Sequence, residues 1–221
     1  MPSTTTLWIY DVIGEGLTPE EGITARLVRD SLEGLGQDDE IVVRINSPGG
    51  DVFEAVAIRS LLDQHPGKIT VKVDGLSASA ATMIQMAGDE IELASGSMVM
   101  IHEPWGLTIG DAAEHASQAT ALEKIAVNIS EMYAARGEQD AAEFRALMQA
   151  ETWLTADEAI QSGLADRIIE TSAKACKVPS EFGYRNQPQP LEQPTEGAGS
   201  SKMSAAAKRR RITLTRLATN A

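Results

Sequence analysis

Short runs rich in β-branched residues alternate along this chain with stretches in which apolar residues recur at helical spacing. Strands are predicted at 7–12, 40–46, 69–73, 90–94, 98–101 and 164–169. Helices are predicted between them, at 18–34, 51–64, 79–87, 111–136, 139–149 and 155–162. Strands that alternate with helices in this way predict an α/β fold with crossover connections.

Length and composition indicate one globular domain of medium size with an appended tail. The chain has 221 residues, 43% of them apolar and 23% charged, which excludes a wholly disordered or collagenous protein. No charge-free apolar stretch reaches the roughly 18 residues of a membrane-spanning helix. The first residues lack the basic start of a secretory signal. We therefore expect a cytoplasmic protein without a membrane segment.

Charge divides the chain into an acidic body and a basic tail. The net charge is −13, but residues 181–221 hold seven basic and three acidic residues, which leaves 12 basic and 29 acidic residues in 1–180. An acidic body does not favour binding to nucleic acid phosphates. We assign a domain to 1–178, a Pro/Gln/Gly-rich linker to 179–201 and a basic tail to 202–221. The tail is either a removable or scaffold-binding extension or a disordered solubilising segment.

Three histidines and one cysteine limit the candidates for acid–base or thiol chemistry. His65 precedes Pro-Gly at a predicted helix end and His115 lies in a polar stretch, so both are expected at the surface. His102 ends an apolar strand, and strand ends are where α/β proteins place functional groups; a structural role is the alternative. The lone Cys176 excludes an internal disulfide or a cysteine-based metal cluster and is expected to be a bystander.

Two further elements are candidates for a nucleophile and an oxyanion site. Ser79 lies between small residues at a predicted helix start, where unpaired backbone N–H groups favour negative charge. It is either a nucleophile or a simple N-cap, and Ser77 is the rival nucleophile. The turn at 46–51, Asn-Ser-Pro-Gly-Gly-Asp, lacks the glycine spacing of a nucleotide-binding loop. Its paired glycines suit a backbone oxyanion donor or a plain tight turn.

Four segments carry a family resemblance through their order and spacing. They read INSPGGDVFEA at 45–55, DGLSASAATMIQMAG at 74–88, MVMIHEPWG at 98–106 and ETWLTADEAIQSGLADRI at 151–168. Together they resemble the proteolytic subunit of the Clp protease, ClpP, and most closely the ClpP-like proteases of phage head-assembly modules. The resemblance implies the ClpP/crotonase fold, in which repeated β-β-α units place helices around a mixed sheet. It also implies a homo-oligomeric ring, as a heptamer or stacked rings, and serine peptidase chemistry.

The same resemblance implies a role for each of five residues. It places the nucleophile on Ser79, the general base on His102 and the acidic third member on Glu151, where the family has Asp. The backbone N–H groups of Gly50 and Ala80 become the oxyanion donors. This chemistry requires no metal or organic cofactor.

Several functions are compatible with the resemblance. The first is a serine endopeptidase acting on polypeptides, either as a phage head maturation protease with capsid or scaffold proteins as partners, or with a Clp-type ring ATPase that feeds it substrates. The alternatives are a crotonase-type acyl-CoA enzyme and an inactive scaffold component. A serine, a histidine and an acid in ClpP order argue against acyl-CoA chemistry, whereas a poorly placed Glu151 would favour the scaffold.

Overall fold

The computed structural model describes residues 3–15, 22–170 and 182–188, in which helices pack against a layer of strands. In chain order the elements are β1 (Thr4–Ile9), α1 (Ala25–Leu32), β2 (Glu40–Ser47), α2 (Val52–Asp63), β3 (Ile69–Ala78), α3 (Ala80–Gln85), β4 (Glu90–Ala94), β5 (Met98–Ile101), α4 (Ala112–Ala134), α5 (Ala141–Gln149), β6 (Thr152–Thr155), α6 (Ala156–Gln161) and β7 (Arg167–Ile169).

The strands form one mixed sheet. Its main path is β1-β2-β3-β4-β7, with every neighbouring pair parallel. β5 runs parallel to the second half of β3, and β6 pairs with β5 in the antiparallel direction. Parallel neighbours need crossover connections, which helices such as α1, α2 and α3 supply. The predicted α/β class and the mixed sheet are confirmed.

β3 is longer than its sequence pattern predicts, and this length positions the site described below. The apolar run at 69–73 predicts a strand that ends in a turn at Asp74 and Gly75, but the strand continues to Ala78. Its first half pairs with β4, and its second half pairs with β5 from Leu76 onward. The predicted turn is therefore wrong, because a second neighbouring strand keeps the backbone extended beyond Gly75.

Capping side chains mark where the helices begin. Thr24 accepts the N–H of Leu27 and starts α1; the predicted start at 18–21 lies outside the described residues. The predicted pairing of Thr155 with Glu158 is confirmed as a capping box before α6. β6, just before it, is absent from the predicted strands because four residues show too little alternation to recognise.

The long helix α4 packs by its C-terminal half. Of its apolar stripe, Ala126 and Ile129 are buried, whereas Ala119 is exposed. Tyr133 contacts Phe144 of α5, with ring centroids 5.7 Å apart. The first half of the stripe therefore lies outside this chain's core. Within the described ranges, no helix has the length and hydropathy needed to cross a membrane.

Candidate active site

Ser79 lies at the junction of β3 and α3, in a backbone conformation that non-glycine residues rarely adopt. Its φ is 54° and its ψ is −126°. The N–H of Ser79 donates to the Met100 carbonyl at 2.8 Å, and its carbonyl accepts the Thr82 hydroxyl at 2.6 Å. In the described structure its side chain makes no capping bond to α3. Ser79 is therefore the N-cap residue of α3 by position, but its hydroxyl does not cap the helix.

His102 is the hydrogen-bond partner of the Ser79 hydroxyl. It follows β5, which lies beside the end of β3, so the two side chains meet. The distance from Ser79 Oγ to His102 Nε2 is 2.8 Å. If the hydroxyl donates, Nε2 is the unprotonated nitrogen, which is the tautomer a general base requires. The structure thus brings together the candidate nucleophile and the candidate base.

Ser77 is placed differently, although it lies only two residues away. It is fully buried within β3, between Ser47 on β2 and Val99 on β5. Its hydroxyl has no hydrogen-bond partner among the described residues. Because the hydroxyl oxygen is buried inside the protein, a substrate carbonyl has no access to it. The structure does not support Ser77 as the nucleophile.

Glu151, the candidate acid, lies between α5 and β6 and is 4% exposed. Its Oε1 accepts the backbone N–H of Asn186 at 2.6 Å and faces the indole N–H of Trp153 at 3.4 Å. Burial raises the pKa of Glu151, but hydrogen bonds from the backbone of Asn186 and Arg185 and from the indole, together with the charge of His102, hold it below its ordinary value. The carboxylate is ionised near the imidazole, yet across the described residues it makes no hydrogen bond to it.

The charge state of His102 follows from its surroundings. Burial lowers the pKa of His102, the Glu151 carboxylate raises it, and the Arg185 guanidinium lowers it again. The net result is a pKa below the ordinary value of 6.5. A neutral imidazole at pH 7 can accept the serine proton, as base catalysis requires.

The Ser-Pro-Gly-Gly turn packs against the serine. A Cβ on Gly49, whose φ is +96°, would lie 2.7 Å from Ser79 Cβ and 3.1 Å from Ala80 N. Gly50 follows, and a backbone bridge joins it to Ile13. Neither the Gly50 N–H nor the Ala80 N–H has an acceptor in the described part of the chain. Such N–H groups beside a nucleophile are what an oxyanion hole needs.

A small hollow of about 10 Å³, roughly the size of one water molecule, lies beside Ser79 and His102. Helices α2, α3 and α4 and the segment after β5 supply its walls, which include Val52, Met83, Pro104, Ile129 and Tyr133. The Tyr133 hydroxyl lies 2.5 Å from the Thr82 hydroxyl, which in turn donates to the Ser79 carbonyl. Tyr133 therefore lines the hollow and also, through Thr82, supports the backbone carbonyl of Ser79.

Residues 182–188 contact the site, although their composition places them in the predicted linker. The Tyr184 ring lies edge-to-face against His102, with centroids 5.3 Å apart. Asn186 holds Glu151, as described above. Sequence reasoning missed these residues; the one signal for packing is the aromatic pair Phe182 and Tyr184 in a Pro/Gln-rich stretch.

The remaining candidates take no part in this arrangement. His65 is half-buried at the end of α2, where its Nε2 lies 2.6 Å from the Asp39 carbonyl. His115 is exposed in the first turn of α4, as predicted. Cys176 lies outside the described residues. Within the described ranges, His, Cys, Asp and Glu side chains form no group of three or more that could hold a metal ion.

Comparisons with known proteins identify the family. A model of the Clp protease family matches residues 17–172. The chain belongs to the Clp protease family. ATP-dependent Clp protease proteolytic subunit 3 from Rhodococcus jostii is 32% identical to it over 138 residues, which are 61% of this chain and 68% of that protein. Family membership implies a serine-type peptidase.

A solved structure gives the same result for the fold of this Clp protease family member. A ClpP1 variant from Listeria monocytogenes superimposes with a TM-score of 0.65 at 25% identity, over 75% of this chain and 91% of that one. The predicted family and the predicted ClpP-type fold are confirmed.

Proposed function

We propose that this protein is a serine endopeptidase in which Ser79 is the nucleophile, His102 the general base and Glu151 the acidic third member. The single observation that carries the proposal is the 2.8 Å contact between Ser79 Oγ and His102 Nε2. It occurs at a junction where backbone bonds on both sides hold the serine in an unusual conformation. Membership of the Clp protease family supports the same reaction class.

The mechanism follows from these positions. His102 accepts the hydroxyl proton as Ser79 Oγ attacks a peptide carbonyl, and the N–H groups of Gly50 and Ala80 stabilise the tetrahedral oxyanion. The imidazolium then donates its proton to the leaving amine, which leaves an acyl-enzyme. Water, deprotonated by the same imidazole, releases the second product. The Glu151 carboxylate stabilises the imidazolium through its charge.

The substrates in this proposal are polypeptides without a defined side-chain preference, because the hollow beside Ser79 has a volume of only about 10 Å³, enough for one water molecule. Acyl-CoA chemistry of the crotonase type has no need of a serine–histidine contact, so the geometry favours the peptidase.

The proposal extends to the oligomeric state and the cellular role of the protein. We expect a homo-oligomeric ring in the cytoplasm, as the family resemblance implies. The segment after β5 supports contact between subunits, because it exposes Trp105, Leu107 and Ile109 at 68%, 85% and 88%. The resemblance of the sequence to phage proteases supports a role in head maturation, with capsid or scaffold proteins as substrates. Degradation of substrates together with a Clp-type ATPase is the alternative role, and the name of the Rhodococcus jostii relative, an ATP-dependent Clp protease subunit, supports it.

One observation favours an inactive scaffold component as a second candidate. The Glu151 carboxylate accepts the Asn186 N–H and, among the described residues, makes no hydrogen bond to His102. An imidazole without an orienting acceptor is a weaker base. The experiment below separates this candidate from the peptidase.

Reaction of the wild-type chain with a fluorophosphonate tests the proposal. We expect one adduct by intact mass, mapped to Ser79 by peptide mass spectrometry, and cleavage of casein by the untreated protein. The small size of the reagent lets it report the nucleophile even where polypeptides cannot enter. An assembled protein that forms no adduct and cleaves nothing is the scaffold component instead.

The pH dependence tests the assignment of His102. Cleavage requires the neutral imidazole, so kcat/KM rises with pH through the pKa of His102, and we expect the midpoint of this rise below 6.5. Arg185→Gln removes a charge that lowers this pKa and moves the midpoint up, whereas Glu151→Gln removes one that raises it and moves the midpoint down. Arg29→Gln is the control, because it removes the same positive charge as Arg185→Gln from an exposed position on α1. Midpoints that stay fixed in both site variants would exclude His102 as the titrating base.

A further inference from the structure

Residues 182–188 make directed contacts with three separate parts of the catalytic centre. The segment reaches the Ser-Pro-Gly-Gly turn through Tyr184, the His102 imidazole through the same ring, and the Glu151 carboxylate through Asn186. A flexible linker that merely lies near the site is not expected to contact all three parts at once.

Tyr184 occupies a subsite with aromatic and apolar walls. Its ring meets His102 at 5.3 Å and Trp153 at 5.8 Å, both edge-to-face. It packs on the buried cluster that contains Leu76 and Met100. Its hydroxyl donates to the Pro48 carbonyl at 2.5 Å. A tyrosine side chain thus packs its ring on the apolar walls and places its hydroxyl on the Pro48 carbonyl and beside the Ser79 hydroxyl.

Asn186 and Arg185 engage the acid of the proposed triad. The Asn186 N–H donates to Glu151 Oε1 at 2.6 Å, and its side-chain amide donates to the Ala150 carbonyl at 2.7 Å. Arg185 Nε lies 3.7 Å from Glu151 Oε2. Both carboxylate oxygens therefore face the segment, and within the described structure neither bonds to His102.

A small hollow of about 10 Å³ beside Ser79 is a different part of the site. Its walls come from Val52, Met83 and their neighbours and include no residue of 182–188. The segment therefore contacts the part of the site formed by His102, Trp153 and Pro48 and does not line the hollow. A bound peptide likewise covers some parts of a site and not others.

We propose that the cleft contains a tyrosine subsite, formed by His102, Trp153 and the Pro48 carbonyl, and that residues 182–188 occupy it in cis as a competitive latch. The ligand class is a peptide with a tyrosine and, two residues later, a backbone N–H that meets Glu151. Release of the segment frees the subsite for substrate and frees Glu151 for the imidazole. This inference rests on the proposed peptidase function.

The test compares Tyr184→Ala, Tyr184→Phe and, as a control in the same segment, Gln187→Ala. The readouts are the rate of fluorophosphonate labelling and kcat/KM for a short peptide. We expect Tyr184→Ala to raise both by about tenfold, because it removes the ring contacts, and Tyr184→Phe to raise both by about threefold through loss of one hydrogen bond. Gln187→Ala is expected to match the wild type.

A peptide added in trans tests the subsite directly. The peptide FGYRNQP, which copies residues 182–188, is expected to inhibit the Tyr184→Ala enzyme by raising KM at constant kcat, whereas the copy with alanine for tyrosine is expected not to inhibit. Labelling rates that fall in Tyr184→Ala and Tyr184→Phe would overturn the latch and show that the segment completes the site. If the fluorophosphonate labels Ser79 at the same rate in the wild type and in every variant, the latch is wrong but the peptidase function stands. If it labels Ser79 in none of them, the peptidase function is wrong as well.

Discussion

Replacing Ser79 with alanine is expected to abolish the fluorophosphonate adduct and to lower kcat/KM for peptide cleavage by at least about 10³-fold. The hydroxyl 2.8 Å from His102 Nε2 is the attacking group in the proposed mechanism, and alanine offers nothing in its place. Intact mass and a continuous peptide assay on the same preparation measure both effects. The proposed oxyanion donors remain, so a small residual rate is expected.

Ser77→Ala is the matched control, because it removes the same atom two residues away. Ser77 Oγ is buried and has no hydrogen-bond partner in the described structure, so its loss is expected to change stability by no more than about 1 kcal/mol. Activity is expected to stay within about threefold of the wild type. An adduct that persists in Ser79→Ala and disappears in Ser77→Ala would reverse the assignment.

Local sequence patterns predict most of the fold because they depend on few neighbours. The runs at 90–94 and 98–101 predict strands with the bounds that the structure shows. The Thr155 capping box is also local, since cap and partner are three residues apart. Beyond Gly75 the pattern fails, because the hydrogen bonds that extend β3 come from β5, more than twenty residues later.

The candidate site likewise has a part that the sequence predicts and a part that it does not. Ser79 and His102 are predictable from family motifs, since each lies in a segment with a distinctive sequence. The surroundings of Glu151 are not, because its partner Asn186 lies 35 residues away, in a stretch whose composition indicates a linker. Composition measures how much apolar surface a segment carries, and one tyrosine that packs against His102 and Trp153 contributes little to that measure.

Replacing Gly50 with alanine is expected to cost at least about 4 kcal/mol of folding free energy, a large part of the roughly 5–15 kcal/mol that stabilises a domain. The φ of Gly50 is +147°, and a Cβ there would lie 2.1 Å from the Ile13 carbonyl oxygen. That oxygen cannot move aside freely, because it accepts the Asp51 N–H at 2.8 Å. The turn must therefore shift, and with it the Gly50 N–H, the proposed oxyanion donor. Thermal unfolding and kcat/KM measure the two consequences.

Gly96→Ala separates backbone strain from steric clash. Gly96 has a φ of +81°, yet a Cβ there would meet no atom within 4 Å, so only the conformational cost of about 1 kcal/mol is expected. For a chain of this size the melting temperature should fall by about 2–4 °C in Gly96→Ala and by at least about 8 °C in Gly50→Ala. If enough Gly50→Ala protein folds, its kcat should fall by a further 10²-fold or so, the typical cost of losing one oxyanion donor. Equal losses of stability in the two variants, with kcat preserved in Gly50→Ala, would mean that the turn relaxes without disturbing the serine, and would remove Gly50 from the proposed mechanism.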